Sequence, residues 1–203
     1  MISGHVFIAT NLDGYIARKN GDIEWLVQQD FPDENHGYEN FINNIDAIIM
    51  GRGTFETVCG FMPWPYEQPI VILSSTLTLQ PVPEHLAGKV RFSSQAPEQV
   101  MQILESEGCK RVYIDGGQVI QSFLKQGLVH DLIITKIPIL LGEGRPLFGP
   151  LPQDILLKHL NTQSFPSGLI QSHYEIVKWR SENQVVRKHN NSIFPLKILL
   201  QRQ

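Results

Sequence analysis

VYIDGGQVI, residues 112–120, decides the fold of this chain. Its first half is apolar and β-branched like a buried strand, and its glycine pair opens an amphipathic helix that Gly127 ends. A strand that runs into Gly-Gly at a helix start brings bare backbone N–H groups to the positive end of the helix dipole. The pattern therefore predicts a phosphate or pyrophosphate site, or else only a tight strand-to-helix turn.

A second unit of the same kind lies upstream. Residues 46–50 form a short apolar run, and Gly51, Arg52, Gly53 and Thr54 follow it at another helix start. The planar donor fork of Arg52 suits an additional phosphate, although the same side chain could form only a surface ion pair. Thr54 can cap the helix or bond to a phosphate oxygen.

A third strand, residues 69–73, ends in the hydroxyls of Ser74 and Ser75. These side chains could contact a phosphate and the adenine ribose, or could only cap the strand end and the next turn. Three strand ends of this composition suit a dinucleotide with an extra phosphate. The pattern predicts NADPH, not NADH, as the cofactor.

Strands and helices alternate along the chain, which predicts an α/β fold of three layers. We expect a mainly parallel central sheet with helices on both faces and an antiparallel pair of strands at the C-terminal end. The predicted strands are residues 5–9, 47–50, 70–73, 90–92, 111–114 and 129–137, with 156–161 and 170–178 as the antiparallel pair. One dihydrofolate-reductase-like, NADP-binding domain is expected over residues 1–180. Residues 181–203 form a C-terminal extension, either disordered or frameshift-derived, or an ordered arm on this domain or a partner subunit.

Composition agrees with a compact enzyme-sized domain. The chain has 203 residues, 42% of them hydrophobic and 18% charged, and a formal net charge of −3. This balance predicts no general attraction for nucleic acid or for anionic membranes. The absence of a long apolar run and of a basic leader predicts a cytoplasmic location. The histidines are scattered without metal-ligand spacing, so we predict no catalytic metal.

Several motifs, taken in order and spacing, resemble the dihydrofolate reductase superfamily. They are Ala9–Ile16 with Asp13-Gly14, Met50–Glu56, Ile72–Ser75, and Ile114–Val119 with Phe123-Leu124. Two further motifs, Leu12–Ala17 and Pro138–Phe148, look like the branch that holds the reductase domain of the riboflavin-biosynthesis deaminase-reductase and its single-domain relatives. The resemblance covers roughly residues 2–178.

The resemblance implies a set of cofactor contacts. Ala9 and Ile16 fall where backbone groups hold the nicotinamide carboxamide, although both residues could also be core. The phosphate contacts would come from Gly51, Arg52, Gly53 and Thr54, with Arg52 at the 2′-phosphate; from Ser74 and Ser75 beside that phosphate and the ribose; and from Gly116, Gly117, Gln118 and Val119 at the pyrophosphate.

Three acids are candidate catalytic residues. Asp13 lies in the loop expected over the nicotinamide, and Asp115 takes the place of an acid that meets substrate in the riboflavin enzyme. Glu24 is nearest to the first-helix carboxylate of dihydrofolate reductases, but it could only stabilise a helix start. Asp13 and Asp115 could likewise only cap turns.

Three aromatic residues invite a substrate interpretation. Trp64 and Tyr66 could form a wall for a flat heterocycle or pack in the core, whereas core packing is favoured for Trp25. Arginines that would bind a ribose phosphate are not evident near Asp13.

The resemblance implies an NADPH-dependent reductase of a small pterin- or pyrimidine-like heterocycle, and a homodimer. The alternative is a nucleotide-binding module that keeps the fold without turnover.

Overall fold

The computed structural model describes residues 1–28 and 34–177 of the chain. The predicted extension, residues 181–203, therefore lies outside the described residues. The strands are β1 (Ser3–Asn11), β2 (Tyr15–Ala17), β3 (Ala47–Gly51), β4 (Ile70–Leu73), β5 (Val90–Ser93), β6 (Arg111–Asp115), β7 (Val129–Ile137), β8 (Arg145–Pro146), β9 (Leu157–Ser164) and β10 (Ile170–Ile176). The helices are α1 (Glu24–Val27), α2 (Tyr38–Ile42), α3 (Arg52–Val58), α4 (Pro97–Ser106) and α5 (Gly117–Lys125).

The main sheet has eight strands in the order β5-β4-β3-β6-β1-β7-β10-β9. Every neighbouring pair from β5 to β7 is parallel. The pairs β7–β10 and β10–β9 are antiparallel. This topology confirms the mainly parallel sheet and the antiparallel C-terminal pair expected from the sequence.

Side chains alternate between two buried faces of this sheet, as a strand period of two requires. Ile49 and Ile114 pack with α4 and α5 on one face. Ile48, Met50 and Tyr113 pack with α2 and α3 on the other. Helices therefore cover both faces, and the predicted three-layer architecture is confirmed.

A second, two-stranded sheet pairs β2 with β8, with Tyr15 opposite Pro146 and Ala17 opposite Arg145. The sequence did not predict it, because segments of three and two residues carry no measurable periodicity. The sheet brings the late Pro138–Phe148 segment against the loop that follows β1. The N–H of Leu147 donates to the carbonyl of Gly14 at 3.0 Å, which fastens the two segments together.

Trp25 on α1 joins a small separate core with Ile137, Phe165 and Leu169, and only 4% of its surface is exposed. This confirms the core interpretation of Trp25. None of the helices in the described residues is long and apolar enough to cross a bilayer.

Candidate active site at the carboxyl edge of the sheet

Three turns meet at one edge of the main sheet. Strands β4, β3 and β6 are consecutive and parallel, with Gly51 opposite Leu73 and Met50 opposite Asp115. Their carboxyl ends therefore lie side by side. The structure brings together the three turns that the sequence singled out separately, and ligands of open α/β sheets bind at such edges.

Gly116 joins two of these turns. Its φ is +89°, and a Cβ there would lie 2.7 Å from Oγ1 of Thr54 and 3.8 Å from the backbone N of Gly51. Both the backbone conformation and the space therefore require glycine. The close approach fixes the end of β6 against the first turn of α3.

Gly117 is a glycine for a different reason from the one the sequence suggested. A Cβ at this position would lie 2.8 Å from Cδ1 of Ile16 and 3.1 Å from the carbonyl oxygen of Pro146. The missing side chain lets the small β2–β8 sheet pack on α5. Contact between Gly117 and Ile16 also ties the proposed nicotinamide end of the site to the proposed phosphate end.

The start of α5 can offer only backbone groups to a ligand on this side. The side chain of Val119 is buried in the core, whereas Gln118 is exposed. No side chain caps the helix. Among the described residues, no acceptor takes the N–H groups of Gly117, Gln118 and Val119. Such free donors at a helix start suit an anion.

Arg52 points towards the end of β4. Its Nη1 donates to Oγ1 of Thr76 at 3.4 Å, and its Nε lies 3.4 Å from Oε1 of Glu56. The surface ion pair considered from the sequence is thus present. It leaves the exposed guanidinium beside the hydroxyls that follow β4.

Ser74 caps the turn that follows β4. Its Oγ accepts the N–H of Leu77 at 3.1 Å and lies 3.2 Å from Oγ1 of Thr76. The side chain of Ser75 is exposed. Sequence reasoning missed Thr76, which lies between Arg52 and Ser74, because a threonine three residues beyond a predicted strand end carries no distinctive signal.

Asp115 is the acid with the most unusual environment. Burial raises its pKa to about 6, although the hydrogen bond from the Gly116 N–H and then the neighbouring Tyr113 hydroxyl oppose the shift. The Gly116 N–H lies 2.8 Å from Oδ1. A carboxyl group with this pKa exchanges a proton near neutral pH, as a general acid must.

Three tyrosines surround this carboxyl group: Tyr38, Tyr66 and Tyr113, here called the tyrosine cluster. Burial, and then the charge of Asp115, raise the pKa of the Tyr38 hydroxyl to about 12 and that of Tyr66 further. The pKa of the wholly buried Tyr113 is raised for the same reasons. All three hydroxyls therefore stay protonated at neutral pH. That of Tyr113 donates to the carbonyl of Phe7 at 2.8 Å, whereas those of Tyr38 and Tyr66 can donate to a ligand.

Aromatic rings extend the tyrosine cluster into a wall. Tyr38 meets Phe7 edge to face with ring centroids 5.5 Å apart, and Tyr66 meets Trp64 in the same way at 5.4 Å. The sequence suggested Trp64 and Tyr66 as a possible wall, but it missed Tyr38 and Tyr113. The signal for Tyr113 was available, because Tyr113 and Asp115 alternate onto the same face of β6.

Asp13 and Glu24 do not join Asp115. Oδ2 of Asp13 accepts the N–H of Gly142 at 2.8 Å, and Oδ1 accepts that of Leu141 at 3.3 Å. Burial pushes the pKa of Asp13 up, but these hydrogen bonds outweigh it and lower the pKa overall. Asp13 thus anchors its loop and is poorly suited to donate a proton. Glu24 is exposed and accepts a hydrogen bond from Gln28 at 2.9 Å.

Ala9 lies partly buried beside the Trp25 core.

Arg145, which the sequence did not single out, lies between Gly21 and Gly53. Its guanidinium would be 3.1 Å from a Cβ at Gly21 and 3.7 Å from one at Gly53. No group of three or more histidine, cysteine or acidic side chains in residues 1–28 and 34–177 could hold a metal ion.

Comparison with known proteins identifies the family. The family model described as "RibD C-terminal domain" matches residues 4–171. The chain belongs to this family.

The RibD C-terminal domain family includes close relatives of similar length. The uncharacterized protein YwjB of Bacillus subtilis (strain 168) is 32% identical over 171 residues, which cover 83% of this chain and 95% of YwjB. A putative riboflavin biosynthesis protein from Shewanella sp. PV-4 has a crystal structure that is 36% identical, with a TM-score of 0.81 over 87% of this chain and all of that one (100%).

A more distant structure shares the fold. It is a diaminohydroxyphosphoribosylaminopyrimidine deaminase/5-amino-6-(5-phosphoribosylamino)uracil reductase from Thermotoga maritima, 16% identical, with a TM-score of 0.67. The match covers 87% of this chain and 57% of that protein. The family and the fold that the motifs suggested are both confirmed.

Proposed function

We propose that this protein is an NADPH-dependent reductase that transfers a hydride to a small nitrogen heterocycle of pterin or pyrimidine type. The observation that carries the proposal is the position of Asp115, a proton-exchanging acid, at the end of β6 next to an unpaired helix start. The end of β6 would thus supply the proton donor and, through the start of α5, the N–H groups that bind the cofactor. Membership of the RibD C-terminal domain family supports the same activity.

The residues at the sheet edge fit the cofactor. The free N–H groups that begin α5 suit a pyrophosphate, and the Arg52 guanidinium beside Ser74 and Thr76 suits a 2′-phosphate. The nicotinamide of NADPH would supply the hydride. The loop after β1, held by Asp13, would cover that end of the site.

Asp115 would donate the proton that the reaction requires. Reduction of a C=N bond adds a hydride to carbon and a proton to nitrogen, so the site needs a donor beside the substrate. The pKa of about 6 places Asp115 in that role at mildly acidic to neutral pH. The aromatic wall would hold a flat ring against the cofactor and exclude water.

Cofactor choice is tested by titration of NADPH and NADH with intrinsic tryptophan fluorescence as the readout. Charge-assisted bonds to the 2′-phosphate contribute about 1.5–3 kcal/mol each. NADPH should therefore bind at least ~10-fold more tightly than NADH. Arg52→Ala should remove this difference. Arg91→Ala, which breaks an ion pair with Glu107 on another part of the surface, should keep it. Equal affinities in the wild-type protein would refute the choice of NADPH.

Turnover is tested by NADPH oxidation with a panel of dihydropterins and aminopyrimidines. We expect oxidation with at least one compound, and a large loss of rate in Asp115→Asn with NADPH binding retained. Tight NADPH binding without oxidation across the panel would favour the nucleotide-binding module instead.

A further inference from the structure

Charge is distributed very unevenly along this chain. Residues 20–88 contain ten of the 20 acidic residues but only one of the 17 lysines and arginines, Arg52. This segment includes α2, which carries Tyr38, and the loop with Trp64 and Tyr66, and these three side chains belong to the aromatic wall next to Asp115. Much of the substrate side of the proposed site is therefore built from a stretch that is almost free of basic side chains.

Arg52, the single basic residue of residues 20–88, points away from the tyrosine cluster. Arg52 contacts Glu56 and Thr76, at the end of β4 where the cofactor phosphate is proposed. Within residues 1–28 and 34–177, no hydrogen bond or ion pair joins a guanidinium or ammonium group to the tyrosine cluster or to Asp115. No basic side chain is among the groups that act on the pKa of Asp115.

Basic residues from other segments are also engaged away from the tyrosine cluster. Lys19 lies 2.5 Å from Glu143. Arg145 on β8 donates to the carbonyl of Lys19 at 3.2 Å, and its guanidinium would lie 3.7 Å from a Cβ at Gly53, on the proposed phosphate side of the site. Lys136 alternates along β7 with Ile137, which packs in the Trp25 core, so Lys136 lies on the opposite face of the sheet.

A phosphorylated substrate would fit this site poorly. A phosphate monoester carries about −1.5 to −2 charges at neutral pH, and proteins usually hold it with arginine, lysine or free backbone N–H groups. In this site the substrate phosphate would approach the Asp115 carboxylate and the neutral tyrosines, while the free N–H groups at the start of α5 would bind the cofactor. Like charges repel, and burial of the carboxylate weakens solvent screening between them.

We infer that the substrate is a flat nitrogen heterocycle without a phosphate group, bound with a ring nitrogen or amino group at the Asp115 carboxyl. This inference rests on the proposed function and narrows its substrate class. The aromatic wall stacks against the ring or meets it edge-on, and the hydroxyls of Tyr38 and Tyr66 donate to ring carbonyl oxygens. Selection against phosphate comes from the missing cation and not from a steric barrier.

The test uses two matched pairs of probes that differ only in a phosphate: 7,8-dihydroneopterin and its 3′-monophosphate, and cytidine and its 5′-monophosphate. Dissociation constants are measured calorimetrically for the full chain with and without saturating NADPH. The unphosphorylated member of at least one pair should bind at least ~10-fold more tightly than its phosphate. Higher salt should shrink that ratio, because screening relieves the repulsion.

A variant that adds a positive charge gives the more discriminating test. Tyr38 is 37% exposed at the start of α2, so Tyr38→Arg adds a cation beside Asp115 at a position that tolerates a long side chain. The ratio should fall to about 3-fold or less in Tyr38→Arg, and the matched control Tyr38→Gln should keep the wild-type ratio. The expected fall in this affinity ratio is the effect of one added positive charge that solvent partly screens.

Three results would overturn the inference: equal or tighter binding of the phosphorylated members to the wild-type protein, no binding by any of the four probes, or the same ratio in Tyr38→Arg and Tyr38→Gln. NADPH binding in the same samples reports separately on the proposed function. If NADPH binds and phosphate is preferred, only the substrate inference fails. If NADPH does not bind but the unphosphorylated probes are preferred, only the cofactor assignment fails.

Discussion

Asp115→Asn is expected to make the protein more stable at neutral pH while it abolishes most of the proposed activity. The substitution keeps the shape of the side chain, and its amide oxygen can still accept the Gly116 N–H that now lies 2.8 Å from Oδ1. What it removes is a negative charge that burial disfavours. A residue kept for chemistry at a cost in stability should show this pairing of effects.

The magnitude follows from the pKa of Asp115, which is raised from 3.8 to about 6. Because the folded protein binds this proton more tightly than the unfolded chain, the associated stability is complete below pH 3.8 and is lost as the pH rises through about 6. A shift of about two units corresponds to about 3 kcal/mol. Asp115 is only partly buried by surface area, so solvent reduces this figure and we expect about 1–3 kcal/mol.

Urea unfolding followed by circular dichroism, at pH 7.5 and again at pH 4.5, measures the difference in the free energy of unfolding, and thermal unfolding gives the melting temperatures. At pH 7.5 the variant should be the more stable protein, with a melting temperature raised by roughly 2–10 °C. At pH 4.5 the difference should be much smaller, because Asp115 is then largely protonated in the folded wild type, and it should vanish only below pH 3.8.

Asp46→Asn is the matched control. Two backbone N–H groups, of Lys110 and Arg111, donate to Asp46 and lower its pKa. Its stability contribution is present above the unfolded pKa and is lost on acidification, so this variant should be less stable at pH 7.5. A folded Asp115→Asn protein that is no more stable than wild type at pH 7.5 would refute the raised pKa.

Three further predictions concern the same site. Gly117→Val should lower the free energy of unfolding by about 1–3 kcal/mol in urea titrations, because its side chain meets Ile16, whereas the Cβ of Gly53→Ala makes only an ordinary contact of 3.7 Å with Arg145 and should be neutral or stabilising. Asp13→Asn should lower kcat more than it weakens NADPH binding, because the loop loses its anchor on Gly142; unchanged turnover would remove Asp13 from the mechanism. The value of kcat/KM should fall as the pH rises through about 6, and a flat profile between pH 5 and 8 would exclude Asp115 as proton donor.

The proposed cofactor half of the site could be argued from sequence because its signals are local. Each proposed phosphate turn is a strand, a glycine or hydroxyl residue and a helix start within about ten residues, and parallel strand ends must meet at one edge. The sequence therefore placed Gly51, Arg52 and Gly116 at one edge of the sheet, where the structure also has them. The proposed substrate half draws on residues from distant segments. Tyr113 could be linked to Asp115 by their alternation on β6, but Tyr38 carries no local mark of its neighbours.

The amino-acid sequence by itself determined the α/β layers, the approximate positions of the eight strands of the main sheet and the family. The central strands are short, nearly continuous apolar runs, and Gly108 and Gly127 follow α4 and α5. Such patterns act over a few residues, so they can be recognised without knowing the fold.

Only the tertiary structure decided the pairing of β2 with β8, the reason for Gly117 and the raised pKa of Asp115. A two-residue strand is stable only where neighbouring residues hold it. Whether a position requires glycine depends on which atoms face it across the fold. The pKa of a carboxyl group depends on the solvent it loses and the charges it meets. These quantities exist only after residues far apart in the chain have been packed together, which is why the chemistry of Asp115 could not be worked out from its place in the sequence.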